Sequence, residues 1–267
     1  MSPMKDSVNK TFNHFKVHTQ YSICEGAVKI DQLKNFCKKN KIKSLGLSDT
    51  YNLSGALEFS ENLSSVGTQP IIGTQILFKY KTFMGLIPLI AKNYDGYKNI
   101  IKLSSKSYLE NSDKTTPHCL IEDLLNNSEG VIVLTGSIRC MIGSLFNKGL
   151  FNEIEEILIK LKEKFEDNIY IEIQRHNDLN EKDFENYNLK VSEKLELPII
   201  ASNEVYYLNK DMYDSHDALM CIGQKTYVND SNRIKLTNQH YFKSSDEMIE
   251  LFNDLPEALE NNFNLPL

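Results

Sequence analysis

The chain has 267 residues, a net charge of −6 and 41% hydrophobic residues, with 13 Tyr, 13 Phe and no Trp. This length can bury a substantial core, and seven Pro and 12 Gly are too few for a collagen-like or Pro/Gly-rich disordered chain. No apolar run approaches the roughly 20 residues of a membrane-spanning helix, and the acidic balance argues against a domain that binds nucleic acid over most of its surface. Without an apolar signal segment or a C-x-x-C pair, we expect a cytoplasmic protein with five reduced cysteines.

Short apolar runs alternate with helical periodicity along the chain. Helices are predicted between the strands, most clearly at 154–165, where Ile157, Leu158 and Leu161 should face the core. The tail after Asn209 is predicted to be mainly helical. This repeated alternation favours a parallel sheet, either open or closed into a barrel, in a single domain. In chain order, strands are predicted at 14–18, 42–48, 69–78, 85–91, 131–136, 168–174 and 197–202.

Polar residues stand at the ends of most predicted strands. In parallel α/β folds the chemistry lies at the carboxyl ends of the strands, on the loops that follow them. Any one of these residues alone is more readily a solvated loop residue or a cap, but their joint placement predicts a present or former functional site. The residues are His18, Asp49, Gln75, Ser137, His176, Glu204 and Tyr206.

An ordered series of segments carries a family resemblance. GYKNIIKLSS, EGVIVLTGS, YIEIQRH, LPIIASNEVYYL and YFKSSDEMIELFNDLPEAL occur in this order. The series resembles the polymerase and histidinol phosphatase (PHP) domain at the start of bacterial replicative DNA polymerase III α subunits. The resemblance implies an α/β fold of the PHP type, a distorted (β/α)7 barrel over 12–267 with a mainly helical C-terminal part. It also implies an N-terminal extension over 1–11 and a fragment of a longer polymerase chain.

The metal-binding pattern that this resemblance implies is only partly kept. Metal-competent members bind a cluster of divalent ions. The residues that could still coordinate an ion are His18, Glu25, His176 and Glu204, and the carboxylate of Asp49 is also kept. The positions that hold poor ligands are Lys16, Thr50, Gln75, Ser137 and Tyr206. A multinuclear hydrolytic centre needs several ligands for each ion, so we expect a largely degenerate site and no catalytic residue.

The cofactor expectation follows from this pattern. No cofactor is expected, beyond at most one weakly bound Zn²⁺ or Mn²⁺ held by His18, Glu25, His176 and Glu204. Lys16 stands where a ligand histidine stands in relatives. Its ammonium could replace the metal as counter-charge, forming a salt bridge with Glu204, Glu25 or Asp49. The alternative is that Lys16 extends from the strand end to solvent.

Three functions remain open at this point. The resemblance implies a scaffold that docks a proofreading 3′–5′ exonuclease subunit, joined to the remainder of a polymerase chain and reaching DNA only through the whole polymerase. The polymerase active site of that family lies downstream, so this chain is not expected to polymerise DNA by itself. The first alternative is an active metal-dependent phosphoesterase or 3′–5′ exonuclease of the PHP family, for which His18, Asp49 and His176 argue. The second is a free-standing binding protein unrelated to replication.

Overall fold

The structure is a computed structural model that describes residues 11–110 and 116–266. The predicted extension over 1–11 lies, apart from Thr11, outside the described residues. The strands of the described part are β1 (His14–Val17), β2 (Ser44–Leu47), β3 (Asp49–Thr50), β4 (Gln69–Ile71), β5 (Gly73–Tyr80), β6 (Phe83–Ala91), β7 (Cys119–Leu120), β8 (Val131–Leu134), β9 (Ile169–Ile173), β10 (Ile199–Ala201) and β11 (Glu204–Val205).

Helices separate many of these strands, and none in the described ranges is both long and apolar enough to cross a membrane. The helices are α1 (Ile30–Asn40), α2 (Ala56–Ser64), α3 (Tyr94–Leu109), α4 (Ile121–Leu125), α5 (Met141–Asn147), α6 (Phe151–Phe165), α7 (Glu181–Leu195), α8 (Tyr213–Gln224), α9 (Ser245–Leu251) and α10 (Pro256–Asn264).

The strands form two sheets, in the orders β11-β1-β2-β4 and β10-β9-β8-β6-β5-β3, with β7 paired to β5. The chain passes between the sheets at short breaks, from β2 to β3, from β4 to β5 and from β10 to β11. Following these breaks, the strand positions succeed one another around a ring. Hydrogen bonds do not close this ring within the described residues. The arrangement is the distorted α/β fold of the PHP type that the sequence predicted.

Strand β6 departs from the predicted parallel sheet. It pairs antiparallel with β5 and with β8, whereas the other neighbours in the two sheets are parallel. Tyr80 pairs with Phe83, so only two residues connect β5 to β6. A two-residue connection can join only antiparallel strands, because a parallel pair needs a crossover of a dozen or more residues. The prediction of an entirely parallel sheet is therefore wrong at this position.

The core lies on both faces of the central strands. In β8, Val131 and Val133 pack in the large cluster that includes the buried side of α6, whereas Ile132 and Leu134 pack with Phe15 on the opposite face. Side chains alternate between faces along a strand, so β8 is buried on both sides, as its continuous apolar run predicted. In α6, the three residues predicted to face the core are all buried, namely Ile157, Leu158 and Leu161.

The C-terminal part packs against the start and the end of the strand ring. Asn262 of α10 accepts a hydrogen bond from the backbone N–H of Asn13 and donates to the carbonyls of Asn13 and Ala201. The tail is helical in α8, α9 and α10, but residues 225–244 are irregular. Asn, Asp and Ser at 229–232 favour turns because their side chains compete for backbone hydrogen bonds, so the mainly helical prediction holds only in part.

Candidate functional site

A β-bulge in β1 positions Lys16. His14 of β1 pairs with Leu45 of β2, and Val17 pairs with Leu47. The step from one pair to the next is therefore three residues in β1 but only two in β2. The backbones approach so closely here that a Cβ on Gly46 would lie 2.4 Å from the carbonyl oxygen of Phe15. On its other side β1 pairs with β11, and Lys16 stands directly opposite Glu204. A bulge redirects side chains locally, and here it leaves both Phe15 and Lys16 buried.

The Lys16 ammonium lies between two buried carboxylates. Its Nζ is 3.1 Å from Oε1 of Glu204 and 3.4 Å from Oε1 of Glu172. Lys16 has no exposed surface, and both glutamates are buried. Of the three carboxylates predicted as possible partners, Glu204, Glu25 and Asp49, the structure pairs Lys16 with Glu204, and the alternative of a solvent-exposed Lys16 is wrong. Glu172 was missed, although a charged residue between Ile171 and Ile173 of a buried strand was a signal for it.

The electrostatics keep this cluster charged. Burial by itself would lower the pKa of Lys16, but the carboxylates of Glu172 and Glu204 reverse this effect and raise the pKa above its ordinary value. Burial opposes ionisation of Glu204, but the Lys16 ammonium and the His18 side chain outweigh it and hold the pKa of Glu204 well below its usual range. Lys16 and Glu204 therefore form an ion pair at neutral pH.

His18, Gln75 and Tyr206 surround the Glu204 carboxylate. His18 Nε2 is 3.1 Å from Glu204 Oε1, and Gln75 Nε2 donates to the same oxygen at 2.6 Å while lying 3.1 Å from His18 Nε2. The Tyr206 ring stacks on the His18 ring, with centroids 4.3 Å apart and planes 8° from parallel. Burial and the neighbouring Glu204 raise the pKa of Tyr206 well above its usual value, so its phenol is neutral. One carboxylate oxygen is thus shared by an ammonium, an amide donor and an imidazole.

Asp49 anchors the loop that follows β1. Its Oδ1 accepts hydrogen bonds from the backbone N–H of Thr19 and from Ser22 Oγ, and its Oδ2 accepts one from Thr19 Oγ1, at 2.6–2.7 Å. Ser22 Oγ is also 3.4 Å from His18 Nδ1, which links Asp49 to the His18 ring. Burial raises the pKa of Asp49, although the bonds from Ser22 and Thr19 oppose the shift. The carboxylate is therefore engaged in holding the loop.

Glu25 and Thr50 form a pair beside this network, which they join through the Thr50 backbone N–H that donates to Ser22 Oγ at 3.1 Å. Thr50 Oγ1 donates to Glu25 Oε2 at 2.7 Å, and His216 Nε2 donates to the Glu25 carbonyl at 2.7 Å. The next residue, Tyr51, has φ of +68°, a left-handed conformation that favours glycine. Tyr51 thus occupies a backbone conformation that suits glycine.

His176 reaches the backbone of Glu204 and not its carboxylate. Its Nε2 is 3.0 Å from Asn203 Oδ1 and 3.3 Å from the Glu204 backbone nitrogen. Its ring stacks on His240, with centroids 4.1 Å apart and planes 5° from parallel. His240 Nδ1 donates to the Glu204 carbonyl at 3.1 Å, and burial, with His176 alongside, holds the pKa of His240 well below its usual value. His240 was missed, since nothing in the sequence around it indicated a partner.

Ser137 is connected to the cluster only through Cys140. Ser137 Oγ is 3.5 Å from Cys140 Sγ, and Cys140 Sγ is 3.8 Å from Gln75 Oε1. Burial raises the pKa of the Cys140 thiol to about 11, which keeps it protonated at neutral pH. Cys140 is therefore a buried neutral neighbour of the cluster.

The structure brings Lys16, His18, Gln75 and Glu204 into one cluster. Of the four candidate ligands of a single ion, His18 and the Glu204 carboxylate are in contact. The Glu25 carboxylate instead accepts from Thr50, and His176 contacts Asn203 and the backbone of Glu204. Within residues 11–110 and 116–266, no group of three or more His, Cys, Asp or Glu is arranged to hold a metal ion.

Two curated proteins that are similar to this chain carry the same name. The chain is 34% identical to the DNA polymerase III subunit alpha of Caulobacter vibrioides, over 98% of this chain and 24% of that protein. It is 36% identical to the subunit of the same name from Borreliella burgdorferi, over 97% of this chain and 24% of that protein. The chain thus spans about a quarter of the length of these curated relatives.

Among solved structures, an amidohydrolase from Chromobacterium violaceum aligns with a TM-score of 0.49 and 9% identity, covering 78% of this chain and 96% of that one. The sequence model of the PHP domain family matches residues 14–176, which run from the start of β1 to the histidine that follows β9. This match covers more than half of the chain and confirms the resemblance seen in its motifs. The chain belongs to the PHP domain family.

Proposed function

We propose that this chain is the PHP domain of a bacterial DNA polymerase III α subunit and that its metal site is largely degenerate. In DNA replication it serves as a structural scaffold and as a docking surface for a proofreading 3′–5′ exonuclease subunit. The observation that carries the proposal is the Lys16 ammonium, buried between the carboxylates of Glu172 and Glu204. The similarity to α subunits along nearly the whole chain supports the assignment to replication.

The Lys16 ammonium opposes a divalent ion at this place. A dication beside Glu204 would lie a few ångströms from a fixed positive charge in a buried environment, where charges are poorly screened. Lys16 would have to lose its proton or move away before the ion could bind. Because the neighbouring carboxylates raise the pKa of Lys16, it keeps its proton at neutral pH. A bound metal therefore competes with a counter-charge that the chain already supplies.

The same cluster suits a scaffold. Lys16 belongs to β1, Glu204 to β11 and Glu172 to β9, so the ion pairs connect strands from the two sheets. PHP hydrolysis would need a metal-activated water. The groups around Glu204 are instead the Lys16 ammonium, the His18 imidazole and the Gln75 amide, with a neutral phenol and a protonated thiol nearby. We therefore assign this network to holding the fold together.

The proposed partners follow from the relatives. These α subunits are about four times as long as this chain, so we propose the remainder of a polymerase chain as its first partner. The proofreading exonuclease subunit is the second partner, which the family resemblance supports. DNA would be contacted only through the whole polymerase, in the bacterial cytoplasm.

Metal analysis tests the degenerate site. Elemental analysis of the chain, purified without chelator, should find no stoichiometric group of two or more Zn²⁺ or Mn²⁺ ions, because the ammonium and the amide stand at ligand positions. Single-stranded exonuclease and phosphatase assays in Mn²⁺ should give no activity above the same assays with EDTA. Two or more tightly held ions with metal-dependent hydrolysis would refute the degenerate site and favour the active phosphoesterase.

A binding experiment tests the docking role separately. The chain and the proofreading exonuclease subunit from the same genome should elute together in size-exclusion chromatography after co-expression. The matched control is the exonuclease subunit alone, which should elute later. Separate elution at concentrations well above those in cells would contradict the docking role and leave the degenerate site unaffected.

A further inference from the structure

One segment of this acidic chain is strongly basic. Between Asp31 and Asp49 the sequence contains five lysines and no acidic residue, although the whole chain has a net charge of −6. Four of these lysines fall within six positions, and we call them the basic turn: Lys38, Lys39, Lys41 and Lys43. The fifth, Lys34, stands one helical turn earlier. The segment covers the second half of α1 and its connection to β2.

A tight reversal at the end of α1 gathers the four lysines. The backbone of Lys41 is left-handed, with φ of +51°, and the N–H groups of Lys41 and Ile42 both donate to the Cys37 carbonyl. Ile42 packs against the core, whereas Lys41 and Lys43 on either side of it are exposed. The Lys43 carbonyl accepts from the N–H of Gln69 at the start of β4. The backbone is therefore fixed, and the lysine side chains extend from a rigid turn.

The basic turn has no ion-pair partner among the residues that the structure describes. Its four side chains are exposed, and none of them forms a salt bridge with a described carboxylate. Lysines on other helices are paired. In α7, Lys182 lies 2.9 Å from Glu185, and Lys194 lies 2.7 Å from Glu155 of α6. The basic turn is thus a local concentration of uncompensated positive charge.

The stability of the fold does not explain this concentration of charge. Lys34 and Lys38 stand one turn apart on α1, where like charges repel and destabilise a helix. The helix dipole favours cations in the last turn, where Lys38 and Lys39 lie. Its effect falls off beyond that turn, so it does not account for Lys43. A negatively charged partner would relieve the repulsion.

The chemistry of the basic turn fits the phosphate backbone of duplex DNA. Lysines that neutralise phosphates release counterions, which gives affinity without reading the sequence. Proteins that bind single strands also stack aromatic rings on the bases. The only aromatic residue between Asp31 and Asp49 is Phe36, whose ring packs on that of Phe242 with centroids 4.8 Å apart. The basic turn therefore suits a duplex, which carries one negative charge per about 1.7 Å of its axis.

We propose that the basic turn contacts the phosphate backbone of duplex DNA without recognising bases. The choice of DNA over an acidic protein rests on the proposed function, because the relatives of this chain are DNA polymerase III α subunits. Four lysines bind weakly by themselves at physiological salt, so the contact forms where the whole polymerase already holds the duplex nearby. It is separate from the metal site and from exonuclease docking.

The salt dependence of duplex binding tests the basic turn. Fluorescence anisotropy with a short labelled duplex gives Kd at salt concentrations from about 50 to 200 mM. Each lysine that neutralises a phosphate adds about 0.9 to the slope of log Kd against log salt concentration. The quadruple variant should therefore lower this slope by about 3. It combines Lys38→Gln, Lys39→Gln, Lys41→Gln and Lys43→Gln.

The matched control removes the same charge elsewhere. It combines Lys81→Gln, Lys98→Gln, Lys182→Gln and Lys194→Gln, at exposed lysines that each pair with a carboxylate. The control should leave the slope nearly unchanged, and circular dichroism shows whether both variants are folded. If the basic-turn variant does not fold, its two halves, Lys38→Gln with Lys39→Gln and Lys41→Gln with Lys43→Gln, should each lower the slope by about half as much.

Two results in this assay would overturn the proposal: equal slopes for the basic-turn variant and the control, and no duplex binding by the wild type at about 50 mM salt. Unchanged duplex binding together with lost co-elution of the exonuclease subunit would assign the lysines to an acidic protein surface and would also overturn it. The metal content and the exonuclease co-elution of the wild type, which test the proposed function, do not depend on the slope.

Discussion

Replacing Lys16 by methionine tests the buried ion pairs. The change removes the ammonium and keeps an unbranched side chain of similar size. Lys16 Nζ lies 3.1 Å from Glu204 and 3.4 Å from Glu172, and all three residues are buried. Removing one partner of a buried pair costs about 3–5 kcal/mol, because the remaining charge is left uncompensated. Near pH 7 we expect this loss in the free energy of unfolding, or a fall in Tm of roughly 6–20 °C.

The pH dependence of this loss has a definite sign. The pKa of Glu204 is held low in the folded chain, so its ionisation favours the folded state. This contribution to the free energy of unfolding is present above the pKa of Glu204 in the unfolded chain and is lost as pH falls through its pKa in the folded chain. The pKa of Lys16 is raised in the folded chain. Its contribution to the free energy of unfolding is therefore present below its pKa in the unfolded chain and is lost only as pH rises through its pKa in the folded chain. In Lys16→Met, the uncompensated carboxylates should bind protons in the folded state. The stability difference should therefore shrink from pH 7 to about pH 4.

Urea unfolding followed by circular dichroism at both pH values measures this difference. The matched control is Lys194→Met, because Lys194 Nζ lies 2.7 Å from Glu155 but its side chain is 60% exposed. That variant should lose less than about 1 kcal/mol, since exposed ion pairs contribute little. Equal stability of wild type and Lys16→Met near pH 7, or an equal deficit at both pH values, would refute the reasoning.

Three further predictions concern the core, the C-terminal helix and nucleic acid. Leu158→Ala and Leu161→Ala should each cost about 2–5 kcal/mol in urea unfolding, because both side chains are 1% exposed. Unchanged midpoints in both would contradict the burial of α6. Asn262→Ala should lower the free energy of unfolding by at least about 2 kcal/mol, because it leaves buried backbone groups of Asn13 without partners. The control Asn264→Ala, at an exposed position of the same helix, should leave it nearly unchanged. Because its net charge is −6, the chain should bind single-stranded DNA with a Kd no lower than about 10⁻⁶ M at physiological salt. A fluorescence anisotropy titration measures this Kd, and tighter, salt-resistant binding would reveal an overlooked basic groove.

The sequence by itself determined the elements with a strong local pattern. The period of the apolar residues identified α6, and the continuous run at 131–134 identified β8 as buried on both faces. Of the polar residues after predicted strands, His18, Gln75 and Glu204 lie in the cluster around Lys16. The substitution of Lys16 at a ligand position also predicted a carboxylate partner among Glu204, Glu25 and Asp49, because a buried ammonium requires a nearby carboxylate, and the structure selects Glu204. These features depend on neighbours along the chain or on the chemistry of one residue.

The tertiary structure decided the features that depend on contacts between distant segments. The antiparallel direction of β6 follows from a two-residue connection that local hydrophobicity does not report. Glu172 became a partner of Lys16, and His240 stacked on His176, only when strands and loops far apart in sequence came together. Asp49 accepts hydrogen bonds from Thr19 and Ser22 only because the fold brings the loop after β1 against it. A side chain's type sets which bonds it can make, but the fold alone determines which groups stand within hydrogen-bond distance of it.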